Sequence, residues 1–95
     1  MSGSARATVQ VDNERVRVTE WRFAPGTATG WHRHEHDYVI VPMTAGPLRI
    51  RTAAEEVSSD IVPGQAYFRA AGAEHDVLNP NRHEVVFVEI EVKAR

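Results

Sequence analysis

Nowhere along the 95 residues do apolar side chains recur at helical spacing. The chain breaks instead into short runs rich in Val, Ile, Phe, Tyr and Thr, closed off by Gly, Pro, Asn and Asp. Such runs are strand signals and their breakers are turn signals. The spacing predicts strands over 7–11, 15–23, 31–41, 47–53, 57–61, 66–70, 76–78 and 84–92, with a turn at Asp12-Asn13 and a loop from Ala24 to Gly30. The strands over 47–53 and 57–61 are expected to pair across the loop at Ala54, Glu55 and Glu56. Eight or nine short strands in a chain long enough for one compact domain close into a sandwich or a barrel. The expected fold class is therefore all-β and antiparallel, with a flexible tail over 1–6 and one domain over 7–95.

The last run alternates most clearly. Val86, Val88, Ile90 and Val92 share one face, and Glu89, Glu91 and Lys93 share the other. Val85 and Phe87 lie on the charged face too, so part of it should be covered, by another subunit in the simplest case. The run over 66–70 sets Ala66 and Phe68 against Tyr67 and Arg69. One pair must face the interior, and Phe68 reads as a core residue. Trp31 is expected outside the barrel or in an interface, and Arg49 and Arg51 on a solvated strand face.

Composition excludes more than it identifies. Hydrophobic residues make up 42% and charged residues 25%, ordinary values for a globular protein and too apolar for a disordered one. The net charge is -2 and no basic run exists, which argues against nucleic acid and anionic membrane surfaces as partners. With 0 cysteines the fold cannot rest on disulfides. No segment approaches the ~20 apolar residues of a membrane span, and the N-terminus lacks the apolar stretch of a signal peptide. A cytoplasmic protein is the expectation.

Chemistry concentrates in Trp31-His32-Arg33-His34-Glu35-His36-Asp37-Tyr38, which holds three of the 5 histidines. In an extended strand His32, His34 and His36 project together. Imidazole is the commonest nitrogen ligand of divalent transition ions, and rings at i and i+2 can converge on one ion. His75, after the Ala71-Gly72-Ala73 turn, is the best third ligand. Against this, a lone His-x-His is often a solvated surface pair, and His83 beside Arg82 and Glu84 reads as a surface residue.

The spacings resemble both motifs of the cupin superfamily. Gly26 is followed after five residues by His32 and then His34, and Gly46 closes the segment; Gly64, Gly72, His75 and Asn79 match the second motif. The resemblance implies a small double-stranded β-helix (jelly-roll) barrel whose metal ligands are His32, His34 and His75. It also implies one divalent transition metal (Fe, Zn, Ni or Mn), a small-molecule ligand or substrate at the barrel mouth, and a homodimer. Two positions depart from the pattern. Ala70 stands where the motif has proline, and no glutamate follows the histidine pair. Strand parity puts Tyr38 in the glutamate slot, whereas counting back from Gly46 puts Val39 there. A site of three histidines without a carboxylate is similar to that of the thiol dioxygenases within the superfamily, and it leaves the ion less neutralised. Tyr38 is the candidate catalytic residue, read as a phenolate ligand, a hydrogen-bond donor to substrate, or a packing residue. His36 could ligate only if the strand stayed regular through Asp37.

Residues Trp21 to Gly26 and His32 to Tyr38 look like those of a group of small bacterial cupins, some described as β-alanine degradation proteins. The implied function is a metal-dependent enzyme of dioxygenase, isomerase or hydrolase type. The alternative is a non-enzymatic ligand-binding or sensor domain with a structural metal or none. For the dimer, Val85, Phe87 and Trp31 are the expected apolar contact.

Overall fold

The computed structural model describes residues 3–93; Met1 and Ser2 of the expected tail lie outside them. Among the described residues, nine strands follow one another without a helix: β1 (Arg6–Asp12), β2 (Val16–Phe23), β3 (His32–Arg33), β4 (Asp37–Pro42), β5 (Gly46–Arg51), β6 (Glu56–Ile61), β7 (Tyr67–Arg69), β8 (Glu74–Leu78) and β9 (Val85–Val92). They form a five-stranded sheet, β1-β2-β9-β4-β7, and a four-stranded sheet, β3-β8-β5-β6, with every strand pair antiparallel. The result is the jelly-roll barrel expected from the sequence. No helix among the described residues is long and apolar enough to cross a membrane.

Local chemistry fixes the hairpins. Asn13 turns β1 into β2 by accepting the N–H groups of Arg15 and Val16 on its side-chain oxygen, at 2.8 and 2.9 Å. The β5–β6 hairpin pairs Gly46 with Ile61 through to Arg51 with Glu56, as expected. Ahead of β1, Ser4 bridges Ala28, whose carbonyl accepts the Ala5 N–H at 2.9 Å. The core lies between the sheets and consists of Phe23, Tyr38, Ile40, Leu48, Ile61, Val77, Val85 and Phe87.

Asn79 is fully buried and ties three segments together. Its amide donates to the carbonyls of Phe23 (3.0 Å) and His83 (2.9 Å), and its oxygen accepts from the N–H and the side chain of Asn81, both at 2.8 Å. Asn81 in turn donates to the Pro47 carbonyl at 2.8 Å and presses against Gly46. A Cβ on Gly46 would sit 3.1 Å from the Asn81 oxygen, and its φ of 120° is open only to glycine. Thus the glycine closing the first motif and the asparagine closing the second meet through Asn81, and their role is to hold loops.

Three expectations are corrected. The run over 31–41 is two strands in different sheets: β3 pairs with β8, and β4 pairs with β9 and β7. The chain crosses between sheets at His34, Glu35 and His36, which an alternating pattern cannot reveal. On β9 it is the face of Val85, Phe87 and Glu89 that points into the barrel. Val85 and Phe87 are therefore core residues and cannot supply a dimer contact. On β7, Tyr67 packs against the core while Phe68 is 57% exposed, so Phe68 is not a core residue. Its place across the ladder is beside Val39, on the outer face.

Candidate metal centre

His32 and His75 face each other across the antiparallel β3–β8 ladder, where opposed Cβ atoms lie about 5 Å apart. His34 belongs to neither strand. Its backbone is clamped to the β7–β8 turn: the His34 N–H donates to the Ala73 carbonyl (2.9 Å), and the Gly72 N–H donates to the His34 carbonyl (2.8 Å). Gly72 holds a φ of 99°, which lets the turn fold back onto the histidine segment. Below, the His34 ring stacks on Tyr38 with centroids 3.9 Å apart and planes at 19°.

This packing brings three ring nitrogens together. His34 Nε2 lies 3.0 Å from His32 Nε2 and 3.1 Å from His75 Nε2. Two nitrogens bound to one ion at ~2.1 Å are about 3.0 Å apart at a right angle and about 3.4 Å apart at the tetrahedral angle. Each of the two observed spacings suits a pair of adjacent corners of an octahedron, and all three nitrogens lie within 4.8 Å of one another. The outer nitrogens reinforce it. His32 Nδ1 lies 2.9 Å from the Gly30 carbonyl, an acceptor only, so Nδ1 carries the proton and Nε2 presents a lone pair. His34 Nδ1 lies 3.5 Å from Glu89 Oε2, which favours the same tautomer. Burial, aided by the neighbouring histidines, pushes the pKa values of His34 and His75 down to about 4, so both rings are neutral at pH 7. In His75 the Asp76 carboxylate acts weakly the other way. The three histidines are positioned to bind a metal.

They line a cavity of about 300 Å³ between the sheets. Its walls are largely apolar, with Ile40, Leu48, Ile50, Val57 and Val77 among them. Tyr38 also lines it and is buried, so the residue in the glutamate slot faces the histidines. Burial, then the Glu89 charge, pushes its pKa up to about 12, which favours the neutral phenol. His36 is absent from the cluster, because the strand breaks before Asp37. His83 is exposed and contacts the Ala45 carbonyl at 3.0 Å. Trp31 is 54% exposed, as expected for an outward residue.

Glu89 was hidden from the sequence reading. It is only 5% exposed, and one carboxylate oxygen accepts the Trp21 indole N–H at 3.0 Å while the other faces His34. Burial raises its pKa, the Trp21 hydrogen bond opposes that rise, and Glu91 adds to it. The signal was its shared parity with Val85 and Phe87, had that face been read as inner. A carboxylate thus stands behind a histidine, on β9, although the motif's glutamate position holds Tyr38.

Comparison with known proteins places this geometry among relatives. The chain is 60% identical over 95 residues to a β-alanine degradation protein, BauB, from Pseudomonas aeruginosa, covering 98% of this chain and 100% of that one. A crystal structure of a cupin domain from Bordetella pertussis Tohama I is 57% identical and superposes with a TM-score of 0.98, covering 99% and 98% of the two chains. The cupin domain of an XRE-family transcriptional regulator from Enterobacter cloacae is 16% identical at a TM-score of 0.74, covering 98% and 100%, a likeness of fold alone. No family model matches the chain.

Proposed function

Because the chain belongs to the cupin superfamily, we propose that it is a metal-dependent enzyme acting on a small molecule in the barrel cavity, with His32, His34 and His75 as the ligands. The observation that carries this reading is the convergence of three imidazole nitrogens, 3.0 and 3.1 Å apart, on the wall of an apolar cavity of about 300 Å³. A cavity of that size takes a small molecule and little else. A divalent transition ion held by His32, His34 and His75 would supply Lewis-acid or redox chemistry there.

The chain's own residues do the rest. Gly30 and Glu89 hold the tautomers of His32 and His34. The aliphatic walls exclude water, and Tyr38 offers a neutral hydroxyl as hydrogen-bond donor to the bound molecule. The name of the 60% identical relative is in keeping with small-molecule metabolism.

The test is metal content by mass spectrometry after purification without added metal, beside a His32→Ala/His75→Ala control. Near-stoichiometric metal in the wild type, lost in the control, is the expected result. Iron would direct a substrate screen to oxygen uptake; zinc, nickel or manganese would direct it to Lewis-acid chemistry. Absence of metal even after reconstitution overturns the reading. Metal binding without turnover would make the protein a binding module.

The reading includes a homodimer. Val11, Val18, Ile90, Val39 and Phe68 form one apolar row across all five strands of the larger sheet, on its outer side. Sedimentation at the mass of two chains is expected, and a single-chain mass at every concentration would remove this part.

A further inference from the structure

Among the described residues, the cavity lining includes one permanent cation that the metal reading does not use. Arg69, an exposed residue at the cavity's edge, lines it from β7, opposite Tyr38 on β4. Tyr38 in turn stacks on His34. Arg69, Tyr38 and His34 therefore follow one another along the inner wall, from the open edge strand to the ring nitrogens. The guanidinium is held in place: it lies over the Tyr67 ring, 4.6 Å from the centroid, and one N–H group donates to the Phe68 carbonyl at 2.9 Å. Neither contact neutralises its charge, and Arg69 makes no ion pair among the described residues. Glu91, the nearest acid in the same cross-strand row, is engaged by Arg17 at 3.9 Å. Glu89, the one acid among the described residues that line the cavity, is bound to Trp21.

We propose that the cavity selects a short-chain carboxylate, its acid group paired with the Arg69 guanidinium and its aliphatic body against Ile40, Leu48 and Val57. The proposal rests on the cavity being the ligand site, as in the function proposed above, and adds which chemical class enters it. A planar guanidinium with free N–H groups matches a carboxylate with two parallel hydrogen bonds, which an amide or alcohol of the same shape cannot reproduce. Held by the Tyr67 stack, the group loses little freedom on pairing.

The experiment titrates butyrate and its uncharged isostere butyramide into the purified protein by calorimetry, then into Arg69→Met and Arg69→Lys. Metal content is measured on the same preparations. The wild type should bind butyrate about two- to fivefold more tightly than butyramide, the advantage of a charge-assisted pair at a partly solvated guanidinium. Arg69→Met should bring the ratio close to one with metal content unchanged, and Arg69→Lys should restore part of it. Equal affinity for the two probes in the wild type, or no binding of either, overturns the proposal. A preference for butyrate that survives in Arg69→Met overturns it as well, because the bound ion would then be reading the acid. Metal content reports separately: its absence sinks the metal reading, while the Arg69-dependent ratio still decides the carboxylate.

Discussion

His34 is the residue on which the site turns, because it is fixed on every side. Its backbone is bound to Gly72 and Ala73, its ring lies on Tyr38, and its Nδ1 faces Glu89. Replacing Glu89 by glutamine can keep an oxygen for the Trp21 indole N–H but removes the charge that favours the metal-binding tautomer. Glu89→Gln should weaken metal affinity by about 10- to 100-fold, the usual effect of losing such a supporting partner. Competition against a chelator of known strength measures it, and an unchanged affinity would show that Glu89 only fills space. Tyr38→Phe keeps the stack on His34 and removes the hydroxyl. It should leave metal content intact and change stability by no more than ~1 kcal/mol, while turnover falls if the phenol serves the bound molecule. The three histidines were legible because two separate spacings pointed to them. Glu89 was not, since both faces of β9 carry aliphatic residues, and a period of two separates faces without saying which is inside.

The same limit acts on whole elements. An alternating run over 31–41 reads as one strand, yet it supplies β3 to one sheet and β4 to the other. What interrupts it is tertiary: the His34 backbone bonds to the β7–β8 turn instead of a strand partner. Strand parity therefore led to Tyr38 although the strand it assumed is broken. By contrast, the hairpins of β1–β2 and β5–β6 were legible, because their turns are local chemistry of Asn13 and of the 54–56 loop. The loops around Asn79 join residues far apart in sequence, so the motif positions were visible but their purpose was not. Asn79→Ala strands the buried carbonyl of Phe23 and the part-buried one of His83 and should cost about 2–3 kcal/mol. Gly46→Ala forces an unfavourable φ against Asn81 and should cost about 1–2 kcal/mol. Urea denaturation of each variant checks both values. Wild-type midpoints would remove the clamp from the account.

For the molecule as a whole, a metal bound at the three histidines would act as a fastener with a defined pH dependence. His32 and His75 belong to the smaller sheet, whereas His34 sits where the chain crosses to the larger one, so an ion bound by all three ties the crossing segment to a sheet. A ligand bound only by the folded state stabilises it by about 4 kcal/mol at a thousandfold excess over Kd. That should raise the melting temperature by more than ten degrees in a chain of this length, and a chelator should reverse it. The metal-free protein has its own trend. His34 and His75 titrate near 4 when folded and near 6.5 when unfolded. Between these values the unfolded chain binds more protons than the folded one. Stability from this source is therefore complete above about pH 6.5, declines as pH falls towards about 4, and changes no further below. Protons compete with the ion over the same range, so the gap between loaded and chelated melting temperatures should close as pH falls towards 4. Melting curves with and without chelator across pH 4–7 test both trends, with His34→Leu as the control. In that variant the ion should no longer shift the melting temperature, and the metal-free decline should shrink to the share of His75. A decline as steep as the wild type's would place its origin in other groups.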